Sequence, residues 1–286
     1  MIHNPPVIIL GMHRSGTSLV TRLLAGMGLF TGWRNTRNQE SPFFGGLNKW
    51  VFRQAGAGWD NPAPVLGLLA DERVRPLVED YLRLSVSGPR VIRYLGPARM
   101  LRGPSLIRQA GAWAWKDPRN VYTLPLWLAV FPEAKVIHIH RHGVDVAHSL
   151  KVRQERAFRR TRERYLVRRP LYRLTGKRGG FANSLRCSTL DGGLGLWREY
   201  MDQAMRLLAE IESPTLDLSY ESLVAHPEEQ LHRLVEFTGL EVSRGQLRLL
   251  AHQVDRSRIH GYQRDPRLRA FASDHRDLLA AFGYAP

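Results

Sequence analysis

The sequence predicts a three-layer α/β sandwich around a central parallel sheet of about five strands, and three observations predict it. Short runs of β-branched and aliphatic residues alternate with longer stretches of helical periodicity, the pattern of a parallel sheet with helices on both faces. Residues able to do chemistry stand directly after those runs, at the strand ends where such sheets bind ligands. The chain has 286 residues, 43% of them hydrophobic, enough for one large core. Residues 1–286 therefore read as a single domain.

Taken in order, the first strand covers about residues 6–11 and a helix follows from about Gly16 to Met27, with Gly28 as its stop. Residues 29–42 read as a polar loop. Helices follow near 43–55 and 71–86, the second with Leu77, Tyr81 and Leu84 on one face. The stretch 88–112, rich in Gly, Pro and Arg, carries no clear element. Ala112-Trp113-Ala114-Trp115 reads as a short buried strand ending at Lys116-Asp117-Pro118-Arg119. A helix near 122–131 leads to the strand Lys135–His140, and a turn and helix begin at Arg141-His142-Gly143-Val144-Asp145. Arginines and glycines over 158–192 interrupt the pattern, so a basic insertion or flap is placed at about 151–192. Helix returns over about 193–212, strand over 215–218, and helices fill most of the rest. No internal repeat is present.

Two strand ends carry the chemistry. Val7 to Leu10 runs into Gly11-Met12-His13-Arg14-Ser15-Gly16-Thr17-Ser18 and then a helix. This is the strand–loop–helix of a phosphate-binding P-loop, whose nucleotide-triphosphatase form reads G-x-x-x-x-G-K-[ST]. Gly11 and Gly16 keep the spacing and Ser18 the hydroxyl, but Thr17 replaces the lysine and the cation sits inside the loop at Arg14. Backbone N–H groups can still cradle phosphate oxygens at the helix N-terminus, while the group that reaches the β- and γ-phosphates of a triphosphate is gone. The second strand end is His140, followed by Arg141 and, eight positions on, Ser149. A guanidinium grips phosphate bidentately and a hydroxyl adds a neutral donor. The Walker-B aspartate expected for Mg²⁺–ATP is missing there. The P-loop-like fold is thus expected to hold a nucleotide with two separate phosphate positions, without magnesium.

Charge and cysteine content set further bounds. The formal charge is +16 and the pI about 10.8, which favours polyanionic partners. Residues 151–178 hold 12 Lys or Arg against Glu155 and Glu163, so +10 of the excess is local. This segment reads as a landing surface for an anionic acceptor, as a peripheral membrane contact, since Phe158, Tyr165, Leu166, Val167 and Leu171 interleave with the arginines, or as a solvated insertion. Cys187 is the single cysteine, which excludes an internal disulfide. With no charged-then-apolar leader and no apolar run of roughly 18 residues, the expected location is cytoplasmic. His138, His140 and His142 invite a metal reading, but no carboxylate or second cysteine in sequence completes a ligand set, and no metal is assigned.

These residues resemble the sulfotransferases that use 3′-phosphoadenosine 5′-phosphosulfate (PAPS). Arg14-Ser15-Gly16-Thr17-Ser18 is similar to their 5′-phosphosulfate loop, and Arg141…Ser149 with Asp145-Val146-Ala147 between to their 3′-phosphate motif. Trp115-Lys116-Asp117-Pro118-Arg119, Leu218-Ser219-Tyr220-Glu221-Ser222-Leu223 and Pro227 to Leu240 resemble three further family segments in the same order. The resemblance spans about residues 6–28 and 113–240. It implies that PAPS is the co-substrate and 3′,5′-adenosine bisphosphate (PAP) the product, with no metal required. It places Arg14 and Lys116 at the bridging oxygen, Ser15, Gly16, Thr17 and Ser18 on the 5′-phosphate, Arg141 and Ser149 on the 3′-phosphate, and Tyr220 by the adenine. The cytosolic small-molecule branch has its histidine where this chain has Pro118, so the chain looks more like bacterial and carbohydrate-type members. Their base is a carboxylate after the P-loop helix, for which Glu40 is the candidate and Asp117 the second choice. The acceptor is expected to be a hydroxyl on a glycan, a lipid or a small molecule, with glycan ahead on charge. A P-loop kinase-like phosphotransferase and a non-catalytic nucleotide- or polyanion-binding protein are the alternatives, nucleic-acid binding ranking last.

Overall fold

A computed structural model describes residues 5–286 apart from 102, 104 and 108–110, with Arg258 described by its backbone alone. The chain runs β1 (Val7–Leu10), α1 (Thr17–Gly26), α2 (Pro42–Gln54), α3 (Pro64–Ala70), α4 (Val74–Ser87) and α5 (Ile92–Met100). It continues through β2 (Ala114–Lys116), α6 (Asn120–Val130), β3 (Lys135–His140), α7 (Gly143–Arg168) and α8 (Leu190–Glu210). The remaining elements are β4 (Thr215–Ser219), α9 (Tyr220–Ala225), α10 (Pro227–Thr238), α11 (Arg244–His252), α12 (Pro266–Asp274) and α13 (Arg276–Ala280). They form two compact units, one of residues 1–141 and 200–259, the other of 142–199 and 260–286.

The first unit holds the sheet. Its four strands are all parallel in the order β2-β1-β3-β4. The expectation of about five strands is corrected to four among the described residues: each segment with a strand pattern of its own became a strand, and no further run supplied a fifth. Alternation of side chains sends the strands' residues to two apolar layers. Ile9, Ala114, Ile137 and Leu218 pack with Val20 and Leu24 of α1, Leu231 of α10 and Leu247 of α11. On the opposite face Trp115 stacks on Phe44 of α2 with centroids 4.1 Å apart and meets Trp127 of α6 edge-on at 5.3 Å. Between β1 and β3 the strand order reverses, since β1's next strand lies on its other side. Such a switch point opens a crevice at the carboxyl ends of the two strands; β1 runs there into the glycine loop, and β3 into Arg141.

The row Leu77, Tyr81 and Leu84 of α4 is not its buried face. Val78, Leu82 and Val86 are buried, whereas Leu77 and Leu84 lie at 70% and 63% exposure. Residues 88–112, which had no assigned element, include a 3-10 turn at Pro89–Val91 and α5. Residues 102, 104 and 108–110 of that stretch lie outside the description.

In the second unit the start of α7 packs on α8. A Cβ on Gly193 would meet Ala147 Cα at 3.1 Å, and one on Gly143 would meet Trp197 at 2.8 Å. The Asp145 carboxylate accepts from the Gly261 and Tyr262 amides at 3.2 and 2.8 Å. Residues 158–168, read as part of an irregular interruption, continue α7 as helix. From residue 155 to 183 no side chain is buried.

Candidate active site

The glycine loop is built around three residues in the left-handed region: Gly11 at φ 143°, Arg14 at φ 73° and Gly16 at φ 102°. Gly11 admits no side chain, because a Cβ would stand 2.1 Å from the Ile139 carbonyl oxygen at the end of β3. Ser15 closes the loop. Its N–H and hydroxyl both donate to the Met12 carbonyl, at 3.2 and 2.6 Å, and the hydroxyl also reaches Ile139 O at 3.0 Å. Ser15 thus spends its donors inside the loop. Arg14, a non-glycine residue held at positive φ, is exposed at the loop's crest. At Gly16, α1 begins with no side-chain cap and no acid in its first turn. The Thr17 and Ser18 N–H groups precede the first helical bonds, which Leu19 N and Val20 N make to Gly16 O at 2.8 and 3.2 Å, and lie at the positive end of the helix dipole, which favours an anion.

Tyr220 joins this loop to the second strand end. Its ring lies 2.5 Å from where a Gly16 Cβ would be, and the Arg141 guanidinium sits over it at 4.4 Å from the ring centre. Gly16, Tyr220 and Arg141 are therefore brought together. Ser149 lies half-buried in the second turn of α7, in the second unit.

Lys116 and Glu40 form the other half of the site. Lys116 is 2% exposed at the end of β2, and its Nζ donates to Glu40 Oε1 at 3.0 Å. Burial pushes the Lys116 ammonium below the ordinary lysine range, with Glu40 pulling the other way. The loop carrying Glu40 is shaped locally: Thr36 N donates to Glu40 O at 2.9 Å, Glu40 N donates to Thr36 Oγ1 at 3.2 Å, and Gln39 turns at φ 60°. Ser18 Oγ, on the first turn of α1, donates to Asn38 O at 2.7 Å and ties this loop to the glycine loop. Asp117 is fully buried and accepts from Arg119, from the backbone N at 2.8 Å and from Nη1 at 3.0 Å. Burial pushes its carboxyl up, opposed first by Arg119.

Other side chains come to light only in three dimensions. Asp217 of β4 lies opposite His138 in register; His138 Nδ1 is 2.8 Å from its Oδ1 and His140 Nε2 is 3.6 Å away. Burial raises the Asp217 carboxyl, and the hydrogen bond and charge of His138 with the charge of His140 outweigh it, leaving the group below its usual range. Burial holds His140 below the ordinary imidazole range. Sequence spacing found no carboxylate for these histidines because strand register is non-local. Among the described residues no cluster could hold a metal ion. His142 stacks on Tyr262 at 4.1 Å, with Nε2 2.9 Å from Ala285 O. His13 of the loop meets Trp59 edge-on at 5.1 Å, and Tyr200 donates to Trp59 O at 2.8 Å.

A parallel sheet whose switch point carries a glycine-hinged anion loop defines the P-loop-like α/β class. Within it, the profile of the Sulfotransferase family matches residues 5–244, and the chain belongs to that family and is a sulfotransferase. The omega-hydroxy-beta-dihydromenaquinone-9 sulfotransferase Stf3 of Mycobacterium bovis is 25% identical over 324 aligned positions, spanning 99% of this chain and 76% of that protein. The protein of the same name from Mycobacterium tuberculosis matches equally. Among solved structures, the sulfotransferase domain of the Synechococcus PCC 7002 olefin synthase is similar in fold, with a TM-score of 0.53 and 18% identity over 99% of this chain and 96% of that domain. No helix among the described residues is long and apolar enough to cross a membrane.

Proposed function

We propose that the chain transfers a sulfuryl group from PAPS to an acceptor hydroxyl by in-line displacement. The observation that carries this reading is Tyr220, packed on Gly16 of the anion loop and under the Arg141 guanidinium. One aromatic surface beside two cationic phosphate positions fits a nucleotide phosphorylated at both ends. The residues fit the donor: the uncapped start of α1 offers the Gly16, Thr17 and Ser18 amides to the 5′-phosphate, and the Thr17 hydroxyl adds to them. Ser15 shapes the loop, and Ser18 can turn its hydroxyl to phosphate only by releasing Asn38. Arg141 holds the 3′-phosphate and Tyr220 flanks the adenine; for Ser149 the 3′-phosphate role rests on the family resemblance alone.

In the reaction the acceptor oxygen forms a bond to sulfur as the bond from sulfur to the bridging oxygen breaks, and the electron pair leaves with PAP. Arg14 and Lys116 stabilise the charge that builds on that oxygen. Glu40 takes the acceptor's proton, and its ion pair with Lys116 holds base and cation within one hydrogen bond of each other. The Mycobacterium relative is named for a hydroxylated menaquinone; that name supports a lipid alcohol as acceptor ahead of a glycan.

The test is calorimetry of PAP against 5′-AMP and ATP without magnesium, for the wild type and Arg141→Ala, followed by PAP release from PAPS with a hydroxylated menaquinone as acceptor. Tight PAP binding lost in the variant is expected, with turnover reduced to a small residual rate by Glu40→Gln. Indifference to the 3′-phosphate, or preference for Mg²⁺–ATP, overturns the reading.

A further inference from the structure

The limb from residue 155 to 185 in the second unit has no role in the proposed chemistry and an unusual surface. Helix α7 runs on for 14 residues beyond Gln154, its last buried residue, about 21 Å at the helical rise. The chain then passes through a 3-10 segment at Arg169–Arg173 and returns. The limb is held together locally: Tyr165 stacks on Tyr172 at 5.8 Å, Phe181 meets Tyr165 edge-on at 5.0 Å, and Lys177 lies over the Phe181 ring at 4.2 Å. Its outer surface combines two properties. It carries ten Lys or Arg against Glu155 and Glu163, a net +8. It also shows seven of the fifteen large apolar side chains exposed among the described residues, with Leu174 at 90%, Val167 at 81% and Leu185 at 80%.

Each candidate partner satisfies these properties differently. A nucleic acid or a sulfated glycan in water neutralises the arginines but leaves the leucines and valine in solvent. A second copy of the chain covers the apolar groups only by bringing two strongly cationic limbs together. An anionic bilayer does both, since headgroups pair with guanidinium groups while aliphatic side chains enter the acyl boundary. We propose that this limb docks the enzyme peripherally on a membrane rich in anionic lipid. The inference goes beyond the proposed reaction and is read without turnover.

The experiment is vesicle flotation of the full chain with phosphatidylcholine alone and with phosphatidylcholine plus phosphatidylglycerol, at low and at molar salt. The charge variant is Arg159→Glu/Arg160→Glu/Arg164→Glu and the apolar variant Val167→Ser/Leu171→Ser/Leu174→Ser. All six positions are exposed, and unchanged melting by circular dichroism controls for folding. Binding is expected only with phosphatidylglycerol and weakened by salt. The charge variant should lose at least about tenfold in partitioning, given a contribution of roughly fivefold per basic residue. The apolar variant should lose several-fold and keep its heparin binding. Equal binding to neutral vesicles, or full vesicle binding by the apolar variant, overturns the proposal; the second result would identify a general polyanion surface instead.

Discussion

Apart from the exposed Arg14, the glycine-loop region and the arginine limb carry cations of opposite kinds. In the first, Lys116 is 2% exposed and ion-paired to Glu40, and Arg141 lies on an aromatic ring. In the limb, arginines stand in solvent on a helix with no buried residue beyond Gln154. A buried, partnered charge acts strongly on whatever enters its site, because little water screens it. An exposed one acts weakly and only in numbers, and salt removes it. On the proposed readings, one protein uses single, placed charges for chemistry and massed, unplaced charges for attraction.

The largest effect should come from the buried cation. Lys116→Met should lower kcat for PAP release by about two to three powers of ten, as for loss of one transition-state donor, with PAP binding changed far less. A loss confined to KM would break the contrast by making Lys116 an attraction charge. Next is the loop's backbone. Gly11→Ala forces a Cβ against Ile139 O at positive φ and should destabilise the fold by roughly 2–4 kcal/mol, read in urea denaturation. Smaller is the pH response. Burial lowers the Lys116 pKa, so the cation is lost earlier than an ordinary lysine as pH rises, giving a decline in kcat below the ordinary lysine range. Because Glu40 raises that pKa, residual activity of Glu40→Gln should decline at lower pH still; an unmoved limb would separate the two residues. The pair acts oppositely on stability, which rises with pH across the same window, since the unfolded lysine holds its proton longer. The smallest effect is predicted for Arg159→Glu/Arg160→Glu/Arg164→Glu, within about 0.5 kcal/mol of wild type in folding stability.

What could be read from the sequence was whatever is local. The strands carry their own apolar signals, aliphatic in β1 and β3, Ala-Trp in β2 and alternating leucines in β4, and the loop its own glycine spacing, so their positions followed from residues a few places apart. Contacts between distant segments did not. Asp217 reaches His138 through the β3–β4 register, and Tyr220 reaches Gly16 across some two hundred residues. The buried face of α4 was not legible in sequence for a related reason. Val74, Leu77, Tyr81 and Leu84 form an apolar row as regular as Val78, Leu82 and Val86, and only packing against α6 decides which is covered. The arginines of α7 concealed a helix because its exposed limb offers no apolar stripe to mark the period. Asp117 and Glu40 were both plausible bases in sequence, and burial with Arg119 distinguishes them in space.

The contact of Tyr220 with Gly16 also constrains how this protein can change over generations. A methyl at position 16 requires the ring at 220 to shrink or move, and a ring that moves takes away the surface on which Arg141 rests. The three positions should therefore change together. Among relatives, a side chain at 16 should occur only with a smaller residue at 220, and the cation at 141 should be replaced or re-seated in the same lineages.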